Sequence, residues 1–403
     1  MRPFPTALGA LAVAALLVCA PAAPAAAKKI PKGPSGSAFY SPPKKLPKGA
    51  HGTLIRARRV SSKSPVAVPG AARTTLVLYR SRAVRGGATA VSGLVSVPRG
   101  KPPKRGWPVI SYAHGTSGIA DRCAPSRDTG KGAVHAYHAY VFPLLTRWLK
   151  AGYAVVRTDY EGLGTPGEHP YLIGRSEGRA VLDMARAARK LDKRIGRRMI
   201  VAGHSQGGHA ALWAGSMARS YTPELSLRGT VAYAPAANLA DQVPLATALT
   251  TPGGGLSGLV ATIVRGLDVA RTPRNATSVL SDVALGLYPR TLTECTPDLA
   301  ADGSFGGVAP AALLRTGADQ TGVIAALRSN GPERLRFGRK PVRIDQGAAD
   351  GTVLPPFTLS LVQKLKANGA KSLTYRSYKG VDHGGIVQKA ARTSTTWIAR
   401  RLR

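Results

Sequence analysis

The chain has 403 residues, 44% hydrophobic and 19% charged, too apolar for a disordered polymer and enough for one large or two ordinary cores. Its 57 Lys and Arg against 20 Asp and Glu give a formal charge of +37, which bears on solubility and adhesion to anionic polymers rather than on any particular activity. Collagen, coiled-coil and low-complexity readings are excluded by the same composition.

In chain order, Arg2 precedes an apolar run from Thr6 to Ala20, and Pro21 leads to Ala25, Ala26 and Ala27 before Lys28. A charged start, a short apolar stretch and a small-residue cleavage site predict an export signal over 1–27. The apolar run falls short of the about 20 residues that a bilayer span takes. Cys19 leaves with that signal, and Val18 ahead of it disfavours a lipid anchor. The expected product is therefore secreted, extracellular or held at the cell wall.

From Lys28 to Ala120 there are 18 Lys or Arg and no acid; the first acidic residue is Asp121. Such a stretch attracts cell-wall polyanions or acidic lipid headgroups ahead of nucleic acid, and specific nucleic-acid recognition is not expected. Residues 28–72, rich in Pro, Gly, Lys and Ser, read as an extended basic arm.

Beyond it, apolar β-branched runs alternate with helical patterns. Thr74–Arg80 and Thr89–Val97 read as a hairpin, Pro108–Ala113 as a buried strand, Val134–Lys150 as a helix and Tyr153–Thr158 as a strand. Ala180, Val181, Met184, Ala185, Ala188 and Leu191 recur at helical spacing. Met199–Ala202 is strand, Gly207–Ser220 helix and Gly229–Ala234 strand; Val342–Gln346, Phe357–Ala367, Leu373–Tyr378 and Ile386–Arg400 continue the alternation. A mostly parallel sheet flanked by helices follows, because parallel neighbours need crossover connections. The stretch 236–339 is far longer than an ordinary connection of about 4–6 residues and reads as an inserted cap. The core is then expected in two parts, 73–235 and 340–403.

The segment Gly203-His-Ser-Gln-Gly207 has the GxSxG form. A serine hydroxyl is a poor nucleophile unless held exposed beside a base, and the two glycines permit the sharp strand-to-helix turn that does this. A chain of this composition produces the pattern by chance about 0.3 times, so the strand running in and the small-residue helix running out carry the assignment of Ser205 as nucleophile. A base and an acid should follow it in chain order. Of eight histidines only His209 and His383 follow Ser205. His209, four residues on in the emerging helix, is carried away from the hydroxyl, which leaves His383 in Gly380-Val-Asp-His-Gly-Gly385. For the acid, Asp345 sits within a strand, whereas Asp350 falls in the loop past its carboxyl end, where open α/β sheets build their sites; Asp350 is preferred. Asp382 reads as a loop-stabilising carboxylate.

Two backbone amides should face the developing oxyanion. One is that of Gln206; the other comes from Tyr112-Ala-His-Gly-Thr-Ser-Gly118, with Thr116 favoured and Gly115 a rival. Cys123 and Cys295 remain after processing, and in an oxidising compartment they permit one disulfide, against two separate buried thiols. The chain has no HExxH, no CxxC and no phosphate loop of GxxxxGK[ST] type, so neither metal nor any other cofactor is expected.

Tyr112-Ala-His-Gly-Thr-Ser-Gly-Ile-Ala-Asp-Arg-Cys-Ala-Pro125, Thr158-Asp-Tyr-Glu-Gly-Leu-Gly-Thr165, the Ser205 segment and Gln346-Gly-Ala-Ala-Asp350 together resemble the secretory lipase family, of the Candida lipase A type of α/β-hydrolase. The resemblance runs from about Phe39 to the C-terminus. It implies that Ser205, Asp350 and His383 match the family triad, that a Cys123–Cys295 disulfide ties core to cap, and that 236–339 forms a lid over an acyl pocket. It further implies a lipid or other small-molecule carboxylic ester as substrate. The cap is rich in Gly and Ala and poor in large aromatics, a departure that bears on the depth of that pocket.

Overall fold

The computed structural model describes Met1, Phe4 and residues 30–403; the expected export signal and Cys19 lie outside the described residues. Nine strands form one sheet in the order β1-β2-β3-β5-β4-β6-β7-β8-β9. The chain runs through β1 (Leu54–Val60), β2 (Arg73–Arg82), β3 (Ala88–Val97), β4 (Trp107–Ala113), α1 (Val134–Ala139), α2 (Phe142–Lys150), β5 (Ala154–Thr158), α3 (Gly174–Leu191), β6 (Ile195–His204), α4 (Gln206–Tyr221) and β7 (Ser226–Tyr233). Five helices then intervene, α5 (Leu239–Ala248), α6 (Leu256–Ala270), α7 (Asp282–Leu287), α8 (Thr296–Leu299) and α9 (Thr321–Asn330). The sheet resumes with β8 (Val342–Gly347), α10 (Pro355–Ala367), β9 (Leu373–Tyr378) and α11 (Gly385–Leu402).

From β5 across to β9 every pairing is parallel, and β1, β2 and β3 join antiparallel at one edge. Central strands are buried on both faces, which is why β4 reads as a continuous apolar run rather than an alternation. Val109 and Ala113 pack on the side of Val181, Met184 and Ala210, while Ile110 and Tyr112 pack on the side of Trp148, Ile386 and Ile398. Thus α3 and α4 cover one face and α2 and α11 the other. Leu361, Val362 and Leu365 of α10 join Leu212 on the α4 side.

Two elements depart from the sequence pattern. Where composition suggests an extended arm over 28–72, the structure lays β1 along β2 and buries Phe39, Tyr40 and Ile55 in a core of their own. Strand β1 carries Arg56, Arg58 and Arg59 and buries little besides Ile55, so its apolar periodicity is faint; charge on an edge strand also discourages pairing with another chain. The helical pattern over 134–150 is divided at Tyr140 and Val141, because Pro143 has no N–H to continue the ladder and instead sits in the first turn of α2.

Among the described residues no strand lies between β7 and β8. The five helices there enclose an apolar core that includes Ala261, Val264, Leu267, Leu280, Phe305 and Leu313. Cys123 and Cys295 form the expected disulfide, with Cα atoms 5.5 Å apart across 172 positions of sequence. It joins the segment after β4 to this helical insertion. No helix of the described residues is long and apolar enough to cross a membrane.

Candidate active site

Four loops at the carboxyl ends of β4, β6, β8 and β9 meet over the sheet. Ser205 is the single residue between β6 and α4, with φ 58° and ψ −121°. A non-glycine residue in that region is strained and persists only where its surroundings hold it. Here Ser205 N donates to Tyr233 O at 2.9 Å, and Ser205 O accepts from His209 N at 3.1 Å and Ala236 N at 3.2 Å. The turn also requires bare backbone beside it: a Cβ on Gly203 would overlap the Gly207 carbonyl, and one on Gly207 would overlap that of Ala113.

Asp350 lies in the loop after β8 and is buried. Its Oδ1 accepts from the amides of Thr352 (2.9 Å) and Val353 (2.8 Å), and its Oδ2 from Gln346 Nε2 (3.0 Å) and His383 Nδ1 (2.8 Å). Burial raises the carboxyl's pKa, but the His383 bond and the two amides together outweigh it and hold Asp350 below the ordinary carboxylate range. The ionised acid therefore places the proton of neutral His383 on Nδ1 and leaves the Nε2 lone pair unprotonated. Among the described residues Nε2 makes no hydrogen bond, and the side chain is 20% exposed. Asp345 instead forms a two-pronged pair with Arg343 inside β8, at 2.6 and 2.8 Å. Asp382 accepts from Gly385 N at 2.7 Å in its own loop.

Ser205 and His383 line one cavity of about 810 Å³. The Ser205 hydroxyl makes no hydrogen bond among the described residues. Aliphatic side chains dominate the cavity lining, with Leu245 and Leu249 near α5 and Leu256, Leu259 and Ile263 from α6; Tyr140, Tyr171 and Thr116 line it as well. Gln206 opens α4, so its amide is a first-turn donor without an intrahelical acceptor. The Thr116 amide has no hydrogen-bond acceptor among the described residues, and Gly115 lines the same cavity beside it. The Thr116 hydroxyl lies 2.6 Å from Tyr171 OH. The disulfide stands behind this loop: Thr296 N donates to Ser117 O at 3.0 Å, and a Cβ on Gly118, whose φ is +113°, would press on Cys295 Cα at 2.8 Å.

Several residues at the site escaped the sequence reading. His204 is buried; its Nε2–H donates to the His383 carbonyl at 2.8 Å and its Nδ1 accepts from Tyr140 OH at 2.6 Å. Burial and then the neighbouring His383 ring push its pKa down to about 3, so a neutral imidazole secures the loop that carries His383. Glu177 of α3 and His209 of α4 pair at 2.8 Å behind the nucleophile. His209 stands two residues beyond Gly207 and is weighed above only as a candidate base. Glu177 is an acid one turn ahead of Ala180, Val181 and Met184, the buried stripe of α3, and that placement is the signal that could have found it. Among the described residues no three His, Cys, Asp or Glu side chains are grouped to hold a metal ion.

Comparison with known proteins agrees with this architecture. Residues 138–286 match the Secretory lipase family, a range that includes Ser205 and stops short of Asp350 and His383. Lipase A of Moesziomyces aphidis is 30% identical over 203 residues, 49% of this chain and 42% of its own. Lipase 1 of Candida albicans is 30% identical over 246 residues, 59% of this chain and 50% of its own. A Mycobacterium tuberculosis protein named "Probable inactive lipase" is 30% identical over 241 residues, 58% and 52% of the two chains. The chain spans about half the length of the curated relatives it matches. Candida antarctica lipase A in its closed state superposes with a TM-score of 0.74 at 22% identity, over 90% of this chain and 85% of that one. The rice cell wall degrading esterase LipA from Xanthomonas oryzae gives 0.69 at 18% identity, over 88% and 99%. The chain thus has the α/β-hydrolase fold and, in sequence, resembles the secretory lipases.

Proposed function

We propose that the chain is a secreted serine ester hydrolase, a lipase or esterase cleaving carboxylic esters with apolar acyl groups through an acyl-enzyme on Ser205. The observation that carries this reading is the bond from His383 Nδ1 to Asp350, which leaves Nε2 free in the cavity that Ser205 also lines. In the first step Nε2 takes the hydroxyl proton while Ser205 Oγ attacks the ester carbonyl carbon, and Asp350 stabilises the imidazolium that forms. The amides of Gln206 and Thr116 bond the tetrahedral oxyanion. Collapse breaks the bond to the alcohol, which leaves with the proton from Nε2. Water, deprotonated by the same nitrogen, then releases the acid and restores Ser205.

The aliphatic lining supports an acyl chain as the group bound there, since an apolar wall contacts methylenes and sheds water when a chain lies on it. Secretion is supported by the family matched and by the names of two relatives, both called secreted triacylglycerol lipases. The excess of cations supports electrostatic adhesion to an anionic wall or membrane surface.

A second reading has its own observation: one relative is named as an inactive lipase, and a strongly basic chain on a hydrolase scaffold suits a non-catalytic wall-binding protein. A fluorophosphonate probe and p-nitrophenyl esters of graded chain length separate the two. The hydrolase reading expects labelling at Ser205 and turnover that Ser205→Ala lowers by about 10⁴-fold or more with folding intact. Unchanged turnover in that variant, or no labelling of the parent, overturns it.

A further inference from the structure

Behind Ser205 the protein buries a second acid–imidazole pair that the proposed chemistry does not use. Glu177 Oε2 lies 2.8 Å from His209 Nδ1, and His209 Nε2 lies 2.9 Å from the Asn330 carbonyl. With an acceptor at each ring nitrogen, Nε2 donates its proton to Asn330 O, and a second proton is shared between Nδ1 and the carboxyl group. The other oxygen, Oε1, accepts from the Gln206 side-chain amide at 2.8 Å and from the Leu172 backbone amide at 3.0 Å. The second Gln206 N–H reaches His169 Nε2 at 2.9 Å, and His169 Nδ1–H donates to Glu161 O at 2.8 Å. Glu177, His169 and His209 are all buried.

These bonds lead to both sides of the oxyanion position. On one side Glu177 ties down the side chain of Gln206, whose backbone amide opens α4 next to Ser205. On the other it bonds Leu172, which sits at φ 56° without being glycine; the preceding Tyr171 places its hydroxyl 2.6 Å from Thr116 Oγ1. A helix that needed only to pack would carry an apolar residue here, as α3 does at Ala180, Val181 and Met184 on the same stripe. A carboxyl oxygen that accepts two N–H groups gives directional bonds that such packing does not.

We propose that Glu177 is a positioning residue for the oxyanion hole, setting the Gln206 and Thr116 amides relative to each other. The proposal rests on the ester-hydrolase reading above. An interaction realised only in the tetrahedral state changes kcat and leaves KM nearly constant. Glu177→Ala is expected to lower kcat by about 10- to 100-fold with KM within about twofold, since misplacing a donor costs less than deleting one. Affinity for a trifluoromethyl ketone, which forms a tetrahedral adduct on Ser205, should fall by the same factor.

Glu177→Gln should recover most of that loss. Its Oε1 can accept from Gln206 and Leu172, and its amide N–H can donate to a neutral His209 that still bonds Asn330. Tyr171→Phe, which cuts only the link to Thr116, covers the case in which Glu177→Ala fails to fold; a several-fold fall in kcat with matching loss of ketone affinity is expected. Measurements on the full chain, below the melting temperature of each variant, decide the matter. Folded Glu177→Ala with unchanged kcat and ketone affinity overturns the proposal, as does Tyr171→Phe with both unchanged, or a Gln variant as impaired as the Ala variant. In each of those cases turnover that still depends on Ser205 leaves the hydrolase reading standing; turnover independent of Ser205 overturns both.

Discussion

Two acid–imidazole pairs flank the Ser205 turn, and they differ in what the second ring nitrogen meets. In Asp350–His383 the acid holds Nδ1 at 2.8 Å while Nε2 looks into the cavity and the ring is 20% exposed. In Glu177–His209 the contact is again 2.8 Å, but Nε2 is spent on the Asn330 carbonyl and the ring is 1% exposed. A carboxylate beside an imidazole is thus not by itself a base. A proton can be exchanged with substrate only where one nitrogen is left without a partner on the side that substrate can reach; where both are bonded and buried, the same pair becomes a fixed joint.

Removing each imidazole should separate those roles. His383→Ala is expected to cut ester turnover by about 10⁴-fold or more, about 5.4 kcal/mol or above in barrier height, in a chain that still folds. Steady-state kinetics beside calorimetry would show it, and a mild loss of rate would break the distinction. The disulfide reaches from the Thr116 loop to the helical insertion, so replacing Cys123 and Cys295 together by Ser should destabilise the fold by about 5 kcal/mol for a closed loop of this length. Denaturant titration measures that. His209→Ala leaves Glu177 buried without its partner and is expected to lose about 3–5 kcal/mol of stability, while the folded fraction keeps far more turnover than His383→Ala does.

The smallest effect concerns acid. Burial, ahead of every other influence, pushes both His114 and His204 down to about 3, below the ordinary value near 6.5. For such a group the unfolded chain binds the proton first. Its contribution to stability is whole above about pH 6.5 and declines as pH falls from there toward 3. Asp350 is also shifted down, by its hydrogen bonds and against burial: its contribution is whole above the ordinary carboxylate pKa and is lost as pH falls from there through its own depressed pKa. Melting temperatures between pH 7 and 4 should therefore fall on acidification, and His204→Gln should flatten the slope. An unaltered slope would mean that His204 is not held neutral by the fold.

Legibility from the sequence followed periodicity. Strands β4, β5, β6 and β7 are buried over most of their length and stand out as short apolar runs between helical patterns. Strand β1 is hidden because an edge strand bearing Arg56, Arg58 and Arg59 buries little besides Ile55. Residues placed by chain order and loop position, Ser205, Asp350 and His383, could be nominated by elimination, since each lies where a strand ends. The bonds of Glu177, His204 and Tyr140 could not be read, because their partners are 29, 179 and 64 positions away and a bond across such distances leaves no spacing; of Glu177 the sequence shows only an acid on the apolar stripe of α3.

From its order of residues alone the chain declares a parallel α/β sheet, a serine at a glycine-flanked turn, and a histidine and aspartate after it; these depend on local backbone preference and on the two-residue and 3.6-residue periods of burial. Which imidazole keeps an open nitrogen, and which carboxylate becomes a buried hub, was decided only when α3, α4 and the helical insertion packed together. Hydrogen-bond saturation and desolvation are properties of the folded surroundings, so they exist only once distant segments have closed around the ring.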